Sequence, residues 1–274
     1  MTTWGEYLTR GVDGGIPLEC KPYFDAGMYA KGVNAPFLNI ESKDPSTVAS
    51  DYTGRFENKE RDIARAETEI IEMLKLYGLH SGATVVDFGS GTGLFLQGLS
   101  RAVAPGGRVL ATEISAVFRN HLINRILDAP DDVMREAVKV IFNPDGRDPL
   151  LSPGYDSNVD LVFVCDVYHH LEYPLSVMRN LRKCLKPSGR LVLIDFHRDT
   201  AIHKSHPEDP EWILKHVRAG QEVFRQEILS CGFELVAEPP CPFLPENYVM
   251  VFQPVSTEVW ARTVGTGWGT RSKK

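Results

Sequence analysis

The stretch Val85-Val86-Asp87-Phe88-Gly89-Ser90-Gly91-Thr92-Gly93 decides how this chain folds. An apolar run leads into three alternating glycines, and a segment of helical pattern leads out. Glycine lets the backbone turn sharply and lets a ligand come close. The stretch therefore reads as the end of a strand, a binding turn and the start of a helix. Position 94 is leucine, so the spacing is G-x-G-x-G and not the G-x-G-x-x-G of a dinucleotide site. Asp87 stands just before the glycines. A pyrophosphate would be repelled by its carboxylate, whereas an ammonium group would be drawn to it.

Downstream, short apolar runs alternate with longer helical ones. Strands are expected at 83–88, 108–112, 138–142, 159–165 and 190–195, and helices at 92–103, 115–127 and 173–185. The strands are almost unbroken apolar runs, as in a parallel sheet covered on both faces. Lys186-Pro187-Ser188-Gly189 reads as the stop after the helix at 173–185. A single helix is expected over 211–231, followed by strands at 233–237 and 247–253. Upstream, Ile63, Ala66, Ile70, Leu74 and Tyr77 recur at three- and four-residue steps and predict a helix from about 59 to 77. The residues before it are rich in Gly, Pro, Asn, Asp and Tyr and read as irregular chain. The expected fold class is α/β: a doubly wound, mostly parallel seven-stranded sheet of Rossmann-like type. It would occupy 79–255, with an N-terminal lid segment over 1–78 and a loose tail over 256–274.

Glu113 lies 20 positions after Gly93, at the end of the second strand. A carboxylate there can accept hydrogen bonds from both hydroxyls of a ribose, and Ile114 beside it can pack on an adenine. An ammonium near Asp87 and a ribose on Glu113 together describe S-adenosylmethionine rather than a nicotinamide dinucleotide.

With Val85 to Gly93, Ala111-Thr112-Glu113-Ile114, Cys165-Asp166-Val167-Tyr168-His169-His170-Leu171 and Leu185-Lys186-Pro187-Ser188-Gly189-Arg190-Leu191, the chain from about 79 to 253 resembles the class I S-adenosylmethionine-dependent methyltransferases. Within them it is most similar to small-molecule enzymes of the type-11 or ubiquinone-biosynthesis-like group. The resemblance implies an antiparallel seventh strand at 247–253. It implies that Asp87, Phe88, Gly89, Ser90, Gly91 and Gly93 hold the methionine part and that Glu113 and Ile114 hold the nucleoside. Asp145 would lie near the adenine amino group, and Asp166, Val167 and His169 would line the cofactor and acceptor side. The loop after the third strand departs from the family pattern in its length and its several acids. Ordinary turn chemistry accounts equally well for Asp145 and Asp148.

Methyl transfer needs an acceptor aligned with an activated carbon, and often a base. His169 and His197 are the candidate catalytic bases, because each follows a strand at the carboxyl edge of the sheet. His170 adjoins His169 and points elsewhere on a helix. His203 and His206 could share a helical face, but with His197 they lack a suitably spaced carboxylate, and no metal is expected. Cys20, Cys165, Cys184, Cys231 and Cys241 are scattered, without a C-x-x-C pair. This usage points to a reduced, intracellular protein and away from a disulfide framework, a zinc site or the convergent thiols of arsenic methylation. Tyr23, Phe24, Tyr29, Phe37, Tyr52 and Phe56, with Arg55 and Arg61, are candidates for a lid.

The net charge of −6 disfavours a grip on nucleic-acid phosphates. No apolar run reaches the roughly 18 residues that span a bilayer, and the first ten residues lack a secretory pattern. The reading is a cytoplasmic enzyme acting on a small-molecule acceptor, with no nucleic-acid partner and no membrane span. The alternatives are a non-catalytic S-adenosylmethionine-binding regulatory subunit, a protein or RNA methyltransferase, and a nicotinamide-dependent oxidoreductase. Asp87 and the glycine spacing oppose the last.

Overall fold

The computed structural model describes residues 34–38 and 44–256. The lid candidates Tyr23, Phe24 and Tyr29, together with Cys20 and the tail beyond 256, lie outside the described residues. The strands are β1 (Thr84–Phe88), β2 (Arg108–Glu113), β3 (Val138–Phe142), β4 (Val159–Cys165), β5 (Leu185–Phe196), β6 (Phe233–Ala237) and β7 (Asn247–Pro254). They form one sheet in the order β3-β2-β1-β4-β5-β7-β6. The first five run parallel, and β7 is antiparallel to both β5 and β6. The order reverses at β1, between β2 and β4, which is where open α/β sheets bind ligands.

The helices are α1 (Ala35–Leu38), α2 (Pro45–Phe56), α3 (Asp62–Arg65), α4 (Glu67–Lys75), α5 (Leu96–Val103), α6 (Ala116–Leu127), α7 (Asp132–Ala137), α8 (Pro174–Cys184), α9 (Trp212–His216) and α10 (Gln221–Ser230). Alternate strand residues feed two cores. Val86, Leu110, Val162 and Leu193 pack with Met178 and Leu181 of α8 and Phe224 and Ile228 of α10. Val85, Val109, Phe163 and Val192 pack with Ile70 and Leu74 of α4 and Leu96 and Leu99 of α5. Both sheet faces are therefore dry, which explains strands whose apolar residues fall on both faces. No described helix is long and apolar enough to cross a membrane.

Four expectations need correction. The region before 59 is not all irregular. Asp44 caps α2, its carboxylate accepting from Ser46 N at 3.4 Å, Ser46 Oγ at 2.7 Å and Thr47 Oγ1 at 2.8 Å, with Pro45 opening the helix. The helix expected at 59–77 is two pieces, α3 and α4, broken at Ala66 (φ −92°, ψ 17°). Lys186 to Gly189 lie within β5 rather than outside it. Pairing runs Val159 to Leu185, then skips to Leu161 with Arg190, so these four residues bulge from the ladder.

The fourth correction matters most for the site. The helix expected at 211–231 breaks between α9 and α10. The Arg218 guanidinium, its side chain 5% exposed, donates two bonds of 2.7 Å to the Glu227 carboxylate of α10. In one continuous helix residues nine apart would be separated by roughly 13.5 Å along the axis and could not meet. The carbonyls left at the end of α9 are taken up by Arg198, which donates to Leu214 O at 2.9 Å and Val217 O at 2.7 Å.

Candidate cofactor and acceptor site

Gly89, Gly91 and Gly93 have φ of +72°, +55° and +86°, the left-handed region that glycine tolerates. A Cβ on Gly89 would stand 2.6 Å from Val167 Cγ1, so the turn after β1 and the turn after β4 meet only because Gly89 is bare. Gly93 serves packing. A Cβ there would meet Leu122 Cδ2 at 2.8 Å, and Gly93 lines neither of the cavities described below. The loop is tied to β2: Gly89 N donates to Thr112 Oγ1 at 3.1 Å and Ser90 N to Thr112 O at 3.0 Å.

Glu113 has a double duty. Its Oε1 accepts from Ile114 N and Ser115 N, each at 2.8 Å, and its Oε2 accepts from Gly91 N at 3.0 Å. A carboxylate has about four acceptor positions. Three are used on backbone, which leaves room for one further donor rather than the two ribose hydroxyls expected. Burial pushes Glu113 up to about 7, against the pull of those three amides.

Two cavities meet at Gly89, Val167 and His170. The smaller, about 60 Å³, is lined by Phe88, Glu113, Ile114, Ile141, Asn143 and Asp145. Asp145 itself is exposed and takes part in turn chemistry, its Oδ1 accepting from Arg147 N at 3.1 Å. The larger, about 640 Å³, runs from Asp87, Gly89 and Gly91 past Asp166 and Val167 to His169, His170 and His216. Phe37, Tyr52, Phe56, Arg55 and Arg61 also line it.

This frame fits S-adenosylmethionine. Asp87 is buried and raised to about 6 by desolvation, and its Oδ2 has no hydrogen-bond partner. A buried orphan carboxylate oxygen costs free energy that a ligand ammonium would recover. Glu113 keeps one acceptor position beside the apolar walls of Ile114 and Ile141, as a nucleoside requires.

Beyond the cofactor end, Asp166 closes β4 with φ +51°, unusual for a residue with a side chain. Arg61 Nη2 donates to its Oδ2 at 2.9 Å and Asn247 Nδ2 to its Oδ1 at 2.8 Å. Burial raises Asp166 to about 7, opposed by the Arg61 charge.

His169 is almost fully buried. Its Nδ1 lies 2.7 Å from Asp195 Oδ1, and its backbone N donates to Asp195 Oδ2 at 3.1 Å. Phe196 N donates to Asp195 Oδ1 at 2.8 Å as well. Burial raises Asp195 to about 7, opposed by the two amide bonds and the Arg218 charge; with Asp195 ionised, the His169 proton sits on Nδ1. The Nε2 lone pair then points at a second ring, His216 Nε2, at 3.1 Å. Burial holds His169 and His216 down near 3 and His170 down near 2, so all three imidazoles are uncharged at neutral pH.

His197 stands outside this chamber, its ring against Tyr248 at 5.4 Å. His203 and His206 do not converge with it. His206 and His216 stack on Trp212 at 4.0 and 4.2 Å, and His203 lies 5.0 Å from the same indole. The residues missed in the sequence are Asp195, Trp212, His216 and Asn247. Trp212 and His216 carried a signal in their i, i+4 spacing, which puts them on one helix face. Asp195 is an acid closing an apolar strand, and only the fold puts it behind His169.

Residues 86–191 match a protein family described as "Methyltransferase domain". The match takes in 106 of the 274 residues, from β1 into β5, and marks that segment as similar to a methyltransferase domain. The ubiquinone/menaquinone biosynthesis C-methyltransferase UbiE of Pseudomonas putida is 27% identical over 132 residues, covering 46% of this chain and 47% of that one. The lovastatin diketide synthase mokB of Monascus pilosus is 28% identical over 142 residues, 50% of this chain and 5% of the synthase. The chain thus spans about half the length of the UbiE relative it matches. Among solved structures, a SAM-dependent methyltransferase from Aquifex aeolicus superposes with a TM-score of 0.59 at 22% identity, covering 78% of this chain and all of that one. The matched segment includes the glycine loop and Glu113, and ends before β7. The histidine end of the chamber owes nothing to those matched motifs beyond His169 and His170.

Proposed function

We propose that the protein transfers a methyl group from S-adenosylmethionine to a small-molecule acceptor held in the histidine-lined chamber. The observation that carries this reading is one cavity of about 640 Å³ joining Asp87 and the glycine loop to His169 and His216. When bound, the cofactor supplies a methyl group on a positively charged sulfur. Asp87 takes the ammonium, the loop from Phe88 to Gly91 lies along the methionine part, and Glu113, Ile114 and Asp145 surround the nucleoside. Asp166 and Val167 separate cofactor from acceptor.

His216 is the imidazole that an acceptor meets, with His169 and Asp195 aligned behind it to accept and stabilise a proton. His197 has no part in this arrangement. Phe37, Tyr52 and Phe56, from the segment before 79, cover the chamber and keep water from it. The resemblance to an enzyme named as a C-methyltransferase makes an enolic or phenolic acceptor the first class to try. The cytoplasm is the compartment we assign.

Calorimetric titration with S-adenosylmethionine and S-adenosylhomocysteine, followed by a screen of acceptors with labelled methyl groups, tests the reading. Micromolar binding and a labelled small molecule are expected. Folded protein that binds neither ligand would sink it, and binding without transfer to any acceptor would leave a regulatory subunit in its place.

A further inference from the structure

Among the described residues, one ring nitrogen of each of His169, His170 and His216 lies within 4.8 Å of the others. The two Nε2 atoms of His169 and His216 are only 3.1 Å apart. Nitrogens at that separation, each roughly 2.1 Å from a common ion, subtend roughly 95° at it, between the octahedral and tetrahedral angles. His170 has to approach by roughly 1–1.5 Å to complete a trio. Its ring is only partly buried, and its Nδ1 is buried with no hydrogen-bond partner.

The surroundings have the form of support for a metal. His169 gives its other ring N–H to Asp195, the carboxylate–histidine arrangement that fixes the tautomer and raises the basicity of a ligand. His216 is held by its stack on Trp212, and His170 by the edge of Phe37 at 5.0 Å. Uncharged imidazole is the ligating form.

We propose that His169, His170 and His216 bind one divalent first-row transition-metal ion, with Asp195 orienting His169. Three protein ligands leave coordination positions open towards the chamber, where an acceptor bearing an oxygen donor can occupy them. This deepens the functional reading above, since the ion would hold the acceptor near the cofactor. It replaces direct proton transfer to His216 when the ion is present.

The test uses the full chain, free of any histidine tag, stripped with chelator and titrated with Co²⁺ and Zn²⁺. One equivalent of Co²⁺ with visible ligand-field bands is expected, displaced by Zn²⁺. His216→Ala and His170→Ala should each weaken binding by at least about ten-fold, and Asp195→Asn by roughly 10- to 100-fold. His80→Ala, on an exposed ring far along the chain, should change nothing. Circular dichroism screens each variant for folding, and His170→Gln replaces His170→Ala if the latter unfolds. Substoichiometric binding in the wild type overturns the proposal, as does one tight equivalent that survives both histidine substitutions. Metal binding without S-adenosylmethionine binding would keep this inference and remove the reading beneath it; the reverse pattern would do the opposite.

Discussion

The two ends of the main cavity are built in different ways. The cofactor end is backbone and one short motif: β1, the turn from Gly89 to Gly93, and Glu113 at the neighbouring strand end. The histidine end is assembled from side chains of residues 169–170, 195, 212–216 and 247, which come from four separate segments. A contiguous motif needs only a local fold to work. A dispersed one depends on each supporting contact, so the histidine end should be the more fragile to single changes away from the ligand.

The largest test of that contrast is Glu227→Ala. It leaves the Arg218 charge buried and unpaired, and removes what sets the break before α10. A loss of about 3–5 kcal/mol in denaturant unfolding is expected. A loss under about 1 kcal/mol would show that the break has another cause. Asp195→Asn should come next. With cofactor affinity unchanged in calorimetry, turnover should fall by roughly 10²-fold or more, because His169 loses its orienting carboxylate. An equal loss of cofactor affinity would mean that the two ends are not separable.

At the cofactor end, Gly89→Ala combines a left-handed backbone with the 2.6 Å approach to Val167. It should cost about 1–3 kcal/mol of stability and abolish tight cofactor binding. Asp87→Asn is milder. It should weaken the cofactor roughly ten-fold, or about 1.4 kcal/mol, and leave the binding of adenosine, which has no ammonium, unaffected.

The smallest effect is one of pH. Burial lifts Asp87 to about 6 and Glu113 to about 7 from ordinary values of 3.8 and 4.5. Carboxyls raised on folding stabilise the fold below their ordinary values, and that contribution is lost as pH climbs through 6 and 7. Asp166 and Asp195, also raised to about 7, act in the same direction, and the three buried histidines, held down near 2 and 3, act in the opposite one. The two carboxyls are therefore isolated by difference: the melting temperature of cofactor-free Asp87→Asn with Glu113→Gln, relative to wild type, should gain more near pH 7.5 than near pH 5.5. Cofactor affinity should run the other way, rising with pH through about 6, since the ammonium wants Asp87 ionised.

Most strand positions were legible in the sequence because strands buried on both faces announce themselves as apolar runs. The glycine turn was legible because only glycine fills it. Helix α2 was overlooked among glycines and prolines, although Asp44-Pro45-Ser46-Thr47 is a capping signal. The break between α9 and α10 was passed over, although Gly220 stands in it as the N-cap of α10; the Arg218–Glu227 pair that fastens it, nine positions apart, shows only in the fold. The sequence singled out Glu113 but not its three backbone bonds, since they depend on how closely the glycine turn sits against β2.

By itself, then, the sequence determined the α/β class and singled out the glycine turn and Glu113, at the sheet's carboxyl edge, as the residues proposed to hold the cofactor. These rest on local rules: alternation of elements, glycine's conformational range, and an acid one strand away. Tertiary structure alone decided that Asp195 backs His169, that His216 meets it at 3.1 Å, and that His197 stands aside. Those facts follow from which strand ends become neighbours and where a buried charge pair interrupts a helix, and no periodicity along the chain records them.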